Sequence, residues 1–184
     1  MEDLVREDIK IRDITYMLPE YRDKIEMLFS LLGPEVRFFN LTVDRLMRSK
    51  LLLITLFNDE IIGLGGLERK IGITRSIIMI RQKFQRQGIG RLLYMNIIER
   101  AKQEHNLILA VIEEDNSPSI GMHLSLGFRM TGKRGKLHYL FCPLNRKGLF
   151  IYKCIEVLFP VVNMFDRLTC CYLYLLLNET TRID

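Results

Sequence analysis

The chain has 184 residues, which is the length of one domain and enough to bury a hydrophobic core. Its composition, 48% hydrophobic and 27% charged residues, is typical of a globular protein and argues against disorder. A net charge of +5 suits an anionic ligand, but no long Lys/Arg run appears, so nucleic acid is not favoured as a partner. The four cysteines lack Cys-x-x-Cys spacing and only three histidines exist, so neither a metal site nor a disulfide framework is predicted.

The first part of the chain alternates between strand and helix signals. Residues 9–14 predict a strand, and Pro19-Glu20 then opens a helix with apolar residues on one face. The first eight residues are mostly charged and contain no apolar segment of the kind found in signal peptides, so we expect no signal peptide and a cytoplasmic protein. A second short helix is predicted from Thr42 to Ser49.

Two apolar runs, Leu51–Phe57 and Ile61–Leu67, are joined by Asn58-Asp59-Glu60 and predict a hairpin of central strands. The second run contains three glycines, which indicate a bulge or a close approach of another backbone. These are Gly63, Gly65 and Gly66.

The stretch from Ile77 to Glu104 organises the rest of the chain. The β-branched run 77–80 predicts a buried strand, and residues 91–104 have helical spacing of apolar residues. The basic loop between them contains Gly88 and Gly90, which let an anion approach the backbone at the positive end of the helix dipole. The loop is therefore predicted to bind a phosphorylated ligand.

Two common phosphate loops do not fit. Arg91 and Leu92 follow Gly90 where a Walker loop needs Lys and Ser or Thr. A dinucleotide fingerprint needs a third glycine where this chain has Leu93.

A strand at Leu107–Glu113 completes a strand-helix-strand unit, which requires a parallel pair in an otherwise antiparallel sheet. A short helix over 117–126 follows, with Ser117 as its predicted cap, and two strands at 129–130 and 137–141 end the pattern. The predicted fold class is a mixed α/β (α+β) sheet flanked by helices.

The pattern Gln85-x-x-Gly88-x-Gly90 between this strand and helix resembles the acetyl-coenzyme A binding motif of the GNAT superfamily of N-acetyltransferases. Downstream, Asn116 follows the second strand and a helix closes on Gly127-Phe128, which is similar to that family's second motif. The resemblance implies a GNAT-like domain over residues 1–146 with a mainly antiparallel central sheet. The alternative reading is that the glycines are ordinary turn residues and the arginines a solvated face.

The resemblance implies acetyl-CoA as co-substrate, no metal, and acetyl transfer to the primary amine of a small molecule or protein by direct attack in a ternary complex. The loop would hold the pyrophosphate, the preceding strand end would hold the pantetheine arm, and Ile80 N–H would stabilise the oxyanion. The cofactor-binding residues expected on this basis are Met79, Ile80, Arg81, Gln85, Arg86, Gln87, Gly88, Ile89, Gly90, Arg91, Asn116 and Ser119. The loops 33–42, with Arg37, Phe38 and Phe39, and 131–136 are expected near the acceptor; the two phenylalanines fit a core position equally well.

The chain departs from the family at the residues that move protons. Its strand opens on Thr74-Arg75-Ser76 where an acidic residue is common, and His123 replaces a tyrosine that can protonate the thiolate. Candidate bases are Glu68, Glu113 and Glu114, and candidate acids are His123 and Tyr139. These departures leave open an alternative, a catalytically degenerate CoA-binding protein that acts as an interaction or membrane-peripheral module.

Residues 147–184 form an apolar extension outside the family pattern. Its charge-free pieces are about half the length that a spanning helix needs, so two amphipathic helices broken at Pro160 or Asp166 are predicted. They would pack on the domain, on a second copy as a homodimer, or on a membrane surface.

Overall fold

A computed structural model describes residues 8–32, 42–46, 48–70 and 73–164. The predictions for Arg37, Phe38 and Phe39 and for Asp166 lie outside these ranges. The strands of the described part are β1 (Ile9–Asp13), β2 (Leu51–Phe57), β3 (Glu60–Lys70), β4 (Ile73–Ile80), β5 (Leu107–Glu113), β6 (Arg129–Arg134) and β7 (Leu137–Pro143). The helices are α1 (Leu18–Leu31), α2 (Val43–Leu46), α3 (Ile89–Ala101), α4 (Ser117–Ser125) and α5 (Arg146–Met164).

The strands form a mixed sheet in the order β1-β2-β3-β4-β5-β7-β6. The β1–β2, β2–β3, β5–β7 and β6–β7 pairs are antiparallel, whereas β4 and β5 run parallel with Thr74 opposite Ile108 and Arg75 opposite Leu109. This confirms the predicted mixed, mainly antiparallel sheet with flanking helices.

The predicted hairpin of β2 and β3 is confirmed. Its turn residues Asn58 and Asp59 both have positive φ, 49° and 60°, as a two-residue type I′ turn requires. Phe57 and Glu60 close the hairpin as directly opposed residues.

The chain divides into two compact units. The first contains Met1–Glu68 and Ser76–Ala101, and the second contains Arg69–Arg75 and Lys102–Asp184. In the first unit, apolar residues of α1 such as Ile25 and Leu28 pack in one core with Ile54 of β2 and Ile77 of β4. The domain boundary predicted at residue 146 remains a prediction.

The second unit is built on β5, β6 and β7, and α5 contacts all three strands. Its core joins Leu107, Phe141 and Tyr152, with Ile151 and Ile155 of α5 packed against it. The helix approaches β6 so closely that a Cβ on Gly132 would lie 2.1 Å from a ring carbon of Phe159. The first part of the apolar extension thus packs on the sheet of its own chain.

Helix α5 begins where Asn145 can cap it. The side-chain Oδ1 of Asn145 accepts a hydrogen bond from the N–H of Gly148 at 2.9 Å. The helix continues through position 160 to Met164, so a break at Pro160 is wrong, and the alternative break at Asp166 lies outside the described residues. A proline inside a helix removes one backbone hydrogen bond, a loss of about 3 kcal/mol that packing of the rest of the helix can offset.

The outer surface of α5 exposes Phe150, Val157 and Leu158. Contact of the extension with a second copy or with a membrane surface remains a prediction. Within the described ranges, no helix is both long and apolar enough to cross a membrane.

Candidate cofactor and catalytic site

A strand, a short turn and a helix build the candidate cofactor site in the first unit. Strand β4 ends at Ile80, a single 3₁₀ turn covers Gln82–Phe84, and α3 begins at Ile89. The turn is closed by hydrogen bonds from Phe84 N–H to Arg81 O at 2.8 Å and from Gln85 N–H to Gln82 O at 3.1 Å. Residues 85–88, which follow it, are exposed. The predicted strand-loop-helix is therefore present, but the helix covers Ile89–Ala101, two to three residues earlier than the predicted 91–104.

The loop backbone adopts a left-handed conformation at two positions. Gly88 has φ of 81°, which glycine reaches without strain. Arg86 has φ of 61°, which is uncommon for a residue with a Cβ and is often found at functional sites. Left-handed residues turn successive N–H groups toward one side of a loop, and such concave backbones bind anions.

Two glutamine side chains hold this loop from within. The Gln85 amide nitrogen donates to Ile80 O at 2.9 Å, and the Gln87 amide nitrogen donates to Lys83 O at 3.1 Å. Gln85 was predicted to contact the cofactor. In the structure its side-chain amide is hydrogen-bonded to Ile80 O at the end of β4.

The basic residues of the loop divide into two kinds. The side chains of Lys83, Arg86 and Arg91 are exposed, whereas Arg81 is buried and donates to Glu60 at the start of β3. The first N–H groups of α3 lack acceptors within their own helix and carry the positive end of its dipole. The exposed charges and the helix N-terminus together suit a phosphate group.

The end of β4 directs successive backbone amides to opposite sides. The N–H of Arg81 donates to Ile62 O on β3 at 2.9 Å. Because amides alternate along an extended strand, the N–H of Ile80 points away from β3. This orientation is the one that a backbone hydrogen-bond donor to a ligand needs.

Glycines on β3 make room for β4 and for the neighbouring elements. A Cβ on Gly63 would lie 2.4 Å from Ile80 Cδ1 and 2.9 Å from Met79 O. The corresponding distances are 2.7 Å to Ile97 for Gly65 and 2.5 Å to Leu51 O for Gly66. The predicted close approach of another backbone is confirmed at Gly63 and Gly66, whereas the near atoms at Gly65 belong to side chains.

Among the catalytic candidates, Glu68 lies in the first unit in a nearly buried ion pair. Its two carboxylate oxygens accept from Nε and Nη2 of Arg45 at 2.7 and 2.6 Å. Only 10% of the Glu68 side chain is exposed, so this pair is shielded from solvent. The bidentate contact engages both oxygens that a general base would use.

The remaining catalytic candidates lie in the second unit. Glu113 is exposed at the end of β5, opposite Leu137 on β7. Tyr139 lies opposite Val111, and its ring centroid is 5.5 Å from that of Phe159 on α5. The structure thus brings Tyr139 against the C-terminal helix.

Glu114, the third carboxylate considered as a base, is an ion-pair partner of Lys133. A hydrogen bond and charge attraction from Lys133 lower the pKa of the Glu114 carboxyl below its ordinary value. The Glu114 N–H also donates to Lys136 O at 2.8 Å. A carboxylate stabilised in its charged form in this way is a weaker proton acceptor.

Asn116 and Ser119 shape the start of α4. Asn116 caps the helix, because its Oδ1 accepts from the N–H of Ser119 at 3.2 Å. The prediction of Ser117 as the cap was wrong by one residue. Asn and Ser side chains can both cap a helix, so the sequence does not tell them apart, and the cap is set by where the helical backbone begins. This contact engages the Asn116 oxygen with the helix backbone.

His123 on α4 is buried, with 2% of its surface exposed. Its Nδ1 lies 2.7 Å from Ser119 O, to which it donates as Nδ1–H, and its ring meets Phe128 edge-on at 5.1 Å. Burial lowers the pKa of the imidazole, and the hydrogen bond to Ser119 opposes that effect only in part. The neutral imidazole is therefore favoured.

Sequence reasoning missed the partners of the site residues. Glu60 was read only as a turn residue, and neither Arg45 nor Phe84 was singled out. No motif marks these residues, because each acts through a contact with a residue distant in sequence. Within residues 8–32, 42–46, 48–70 and 73–164, no three His, Cys, Asp or Glu side chains form a group that could hold a metal.

The described residues form an α/β protein whose strand-loop-helix at β4 and α3 has a backbone geometry that suits an anion. Residues 16–128, more than half of the chain, match the family model described as the acetyltransferase (GNAT) family. The chain therefore belongs to the acetyltransferase (GNAT) family, which confirms the resemblance identified from the motifs.

One curated relative is the L-methionine sulfoximine/L-methionine sulfone acetyltransferase of Pseudomonas paraeruginosa, which is 35% identical over 63 residues. The match covers 34% of this chain and 37% of that enzyme, so it spans little more than a third of either.

Two solved structures share the fold. The Salmonella typhimurium protein YncA, solved with its cofactor acetyl-CoA, superposes with a TM-score of 0.61 at 19% identity, covering 75% of this chain and 95% of that one. A GNAT family acetyltransferase from Elizabethkingia anophelis with acetyl-CoA bound gives a TM-score of 0.56 at 21% identity, covering 74% of this chain and 99% of that one.

Proposed function

We propose that this protein is an acetyl-CoA dependent N-acetyltransferase that transfers the acetyl group to a primary amine by direct attack in a ternary complex. The observation that carries the proposal is the loop after β4, where left-handed Arg86 and Gly88 precede the N-terminus of α3. Membership of the acetyltransferase family supports it, as does acetyl-CoA bound to two proteins of the same fold.

In this proposal the loop backbone and the exposed Arg86 and Arg91 hold the pyrophosphate of acetyl-CoA. The last residues of β4, Met79 and Ile80, and the following Arg81 hold the pantetheine arm through backbone groups. The N–H of Ile80, which points away from β3, donates to the thioester carbonyl, where negative charge develops as the amine attacks.

The reaction forms a C–N bond and breaks a C–S bond. The amine nitrogen attacks the carbonyl carbon, the tetrahedral intermediate collapses, and the electron pair of the C–S bond leaves with sulfur. The amine loses one proton to a base, and the thiolate gains one from an acid or from water. These are the steps for which proton-handling residues are needed.

For the base we propose Glu113, because it is exposed at a strand end, whereas Arg45 engages both oxygens of Glu68. The lowered pKa of His123 favours the neutral form, so this side chain is better suited to accept a proton than to protonate the thiolate. Tyr139 remains the candidate acid, and its ring packs against that of Phe159.

For the acceptor we propose the primary amine of a small molecule, with a protein amine as the alternative. The curated relative acetylates L-methionine sulfoximine and L-methionine sulfone, as its name states. This likeness makes amino-acid α-amines the first acceptors to test.

The test begins with a thermal-shift titration of acetyl-CoA, CoA, NADH and ATP. A ligand at 100 times its dissociation constant adds about 2.7 kcal/mol to the free energy of unfolding, which corresponds to several degrees at this chain length. Stabilisation by the two CoA species alone, lost in Gly88→Asp, is the expected result. No shift with either CoA species would refute the proposal.

Release of CoA thiol over an amine panel then tests the reaction. Turnover that depends on both acetyl-CoA and an amine, and that falls in Glu113→Gln, is expected. Tight binding of acetyl-CoA with turnover at background for every amine would favour the alternative, a degenerate CoA-binding protein.

A further inference from the structure

The closing residues of the β2–β3 hairpin contact the start of the cofactor loop. Phe57 and Glu60 are directly opposed across the two-residue turn, so their side chains lie on the same face of the hairpin. Glu60 is an ion-pair partner of Arg81, and the Phe57 ring centroid lies 5.8 Å from that of Phe84. One end of the hairpin thus contacts both ends of the segment 81–84.

Two of the four side chains in these contacts are buried, and the carboxylate partner Glu60 is half exposed. Arg81 and Phe84 are 9% and 6% exposed, and the Arg81 guanidinium lies 5.7 Å from the Phe84 ring centroid. The Lys83 ammonium group also lies over the Phe84 ring, 4.8 Å from its centroid. A buried guanidinium requires a counter-charge, and Glu60 supplies it.

The loop that follows depends on where this segment ends. Gln85 donates to Ile80 O, and the next residue, Arg86, has the left-handed φ of 61°. A non-glycine residue stays in such a conformation only when its surroundings determine it. The contacts of residues 81–85 are local restraints of that kind.

We propose that Phe57, Glu60, Arg81 and Phe84 form a clasp that positions the loop 85–88 and the start of α3 for the pyrophosphate of acetyl-CoA. Arg81 then acts through its side chain as a positioning residue, and its charge is directed to Glu60 rather than to a phosphate. This inference rests on the proposed function, because it takes acetyl-CoA as the ligand of the loop.

The experiment measures dissociation constants by titration calorimetry for acetyl-CoA and for its two halves, adenosine 3′-phosphate 5′-diphosphate and S-acetylpantetheine. The variants are Glu60→Gln, Arg81→Lys, and the charge reversals Glu60→Arg and Arg81→Glu, singly and together. Glu26→Gln is the matched control, since it removes an exposed partner of Arg22 in the same unit.

We expect Glu60→Gln to weaken binding of acetyl-CoA and of the nucleotide half about tenfold, because a misplaced loop loses oriented contacts. The Arg81 backbone, which is proposed to contact the pantetheine arm, is held by its own hydrogen bond to Ile62 O. S-acetylpantetheine, which lacks the pyrophosphate, should therefore bind Glu60→Gln as it binds the wild type. The double reversal should recover most of the affinity lost in each single reversal, and Glu26→Gln should bind normally. General loosening of the fold would instead weaken both halves alike.

Two failures are distinguishable. If wild-type protein binds acetyl-CoA and Glu60→Gln and Arg81→Lys bind it equally well, the clasp is refuted and the proposed function stands. Equal weakening of both halves would also refute the clasp. If the wild type binds neither acetyl-CoA nor the nucleotide half, the proposed function fails and the clasp fails with it.

Discussion

Replacing Gly63 by alanine tests how closely β3 and β4 approach beside the cofactor site. The added Cβ would lie 2.4 Å from Ile80 Cδ1 and 2.9 Å from Met79 O. The Ile80 methyl group can rotate away, but the Met79 carbonyl belongs to the backbone of β4 and must move with it. Overpacking of this kind lowers the free energy of unfolding by about 1–3 kcal/mol.

The same substitution at Gly121 provides the control. Gly121 lies in α4, and a Cβ there would meet no atom within 4 Å. Alanine in a helix is more favourable than glycine by about 1 kcal/mol, so Gly121→Ala should raise the free energy of unfolding. The free energy of unfolding should thus fall below the wild-type value in Gly63→Ala and rise above it in Gly121→Ala, so that the two variants differ by about 2–4 kcal/mol.

Urea denaturation followed by circular dichroism measures both changes, and calorimetry measures acetyl-CoA binding by the folded variants. Because Met79 and Ile80 are proposed to hold the pantetheine arm, Gly63→Ala should also weaken acetyl-CoA binding, whereas Gly121→Ala should not. A Gly63→Ala protein as stable as the wild type, with unchanged affinity, would refute the close approach and its link to the cofactor.

Three further substitutions test buried polar groups. Thr55 is fully buried and its Oγ1 has no hydrogen-bond partner among the described residues, so Thr55→Val should raise the free energy of unfolding by about 1 kcal/mol in urea titrations; a decrease would contradict this. Glu68→Gln should lower it by about 2 kcal/mol because the guanidinium of Arg45 loses this carboxylate, and Asp44→Asn in an exposed pair should lower it by less; equal effects would argue against shielding. The pKa of His123 is lowered in the folded state, so its neutral form contributes stability that is present above the unfolded pKa of about 6.5 and lost as the pH falls through the folded pKa. Urea midpoints should therefore fall more steeply with acidification in the wild type than in His123→Gln, and parallel profiles would contradict this.

Local patterns in the sequence predicted the strand-loop-helix correctly. Glycines, β-branched runs and helical spacing act over a few neighbouring residues, so the sequence alone places β4, the loop and α3. The hairpin turn at Asn58-Asp59 is of the same kind, because two adjacent residues that tolerate positive φ suffice to predict it. The break expected at Pro160 failed because the proline signal is local, whereas packing of the helix on the sheet is not.

The sequence by itself determined the order of elements, the mixed sheet and the family, because each depends on residue types at short spacings. Only the tertiary structure decided how the site side chains are used. Arg81 pairs with Glu60 across 21 positions and Arg45 with Glu68 across 23, and no short-range pattern marks such partners. Burial then sets their chemistry, since a charge removed from water must be paired, and the pairing fixes which groups stay available to a ligand.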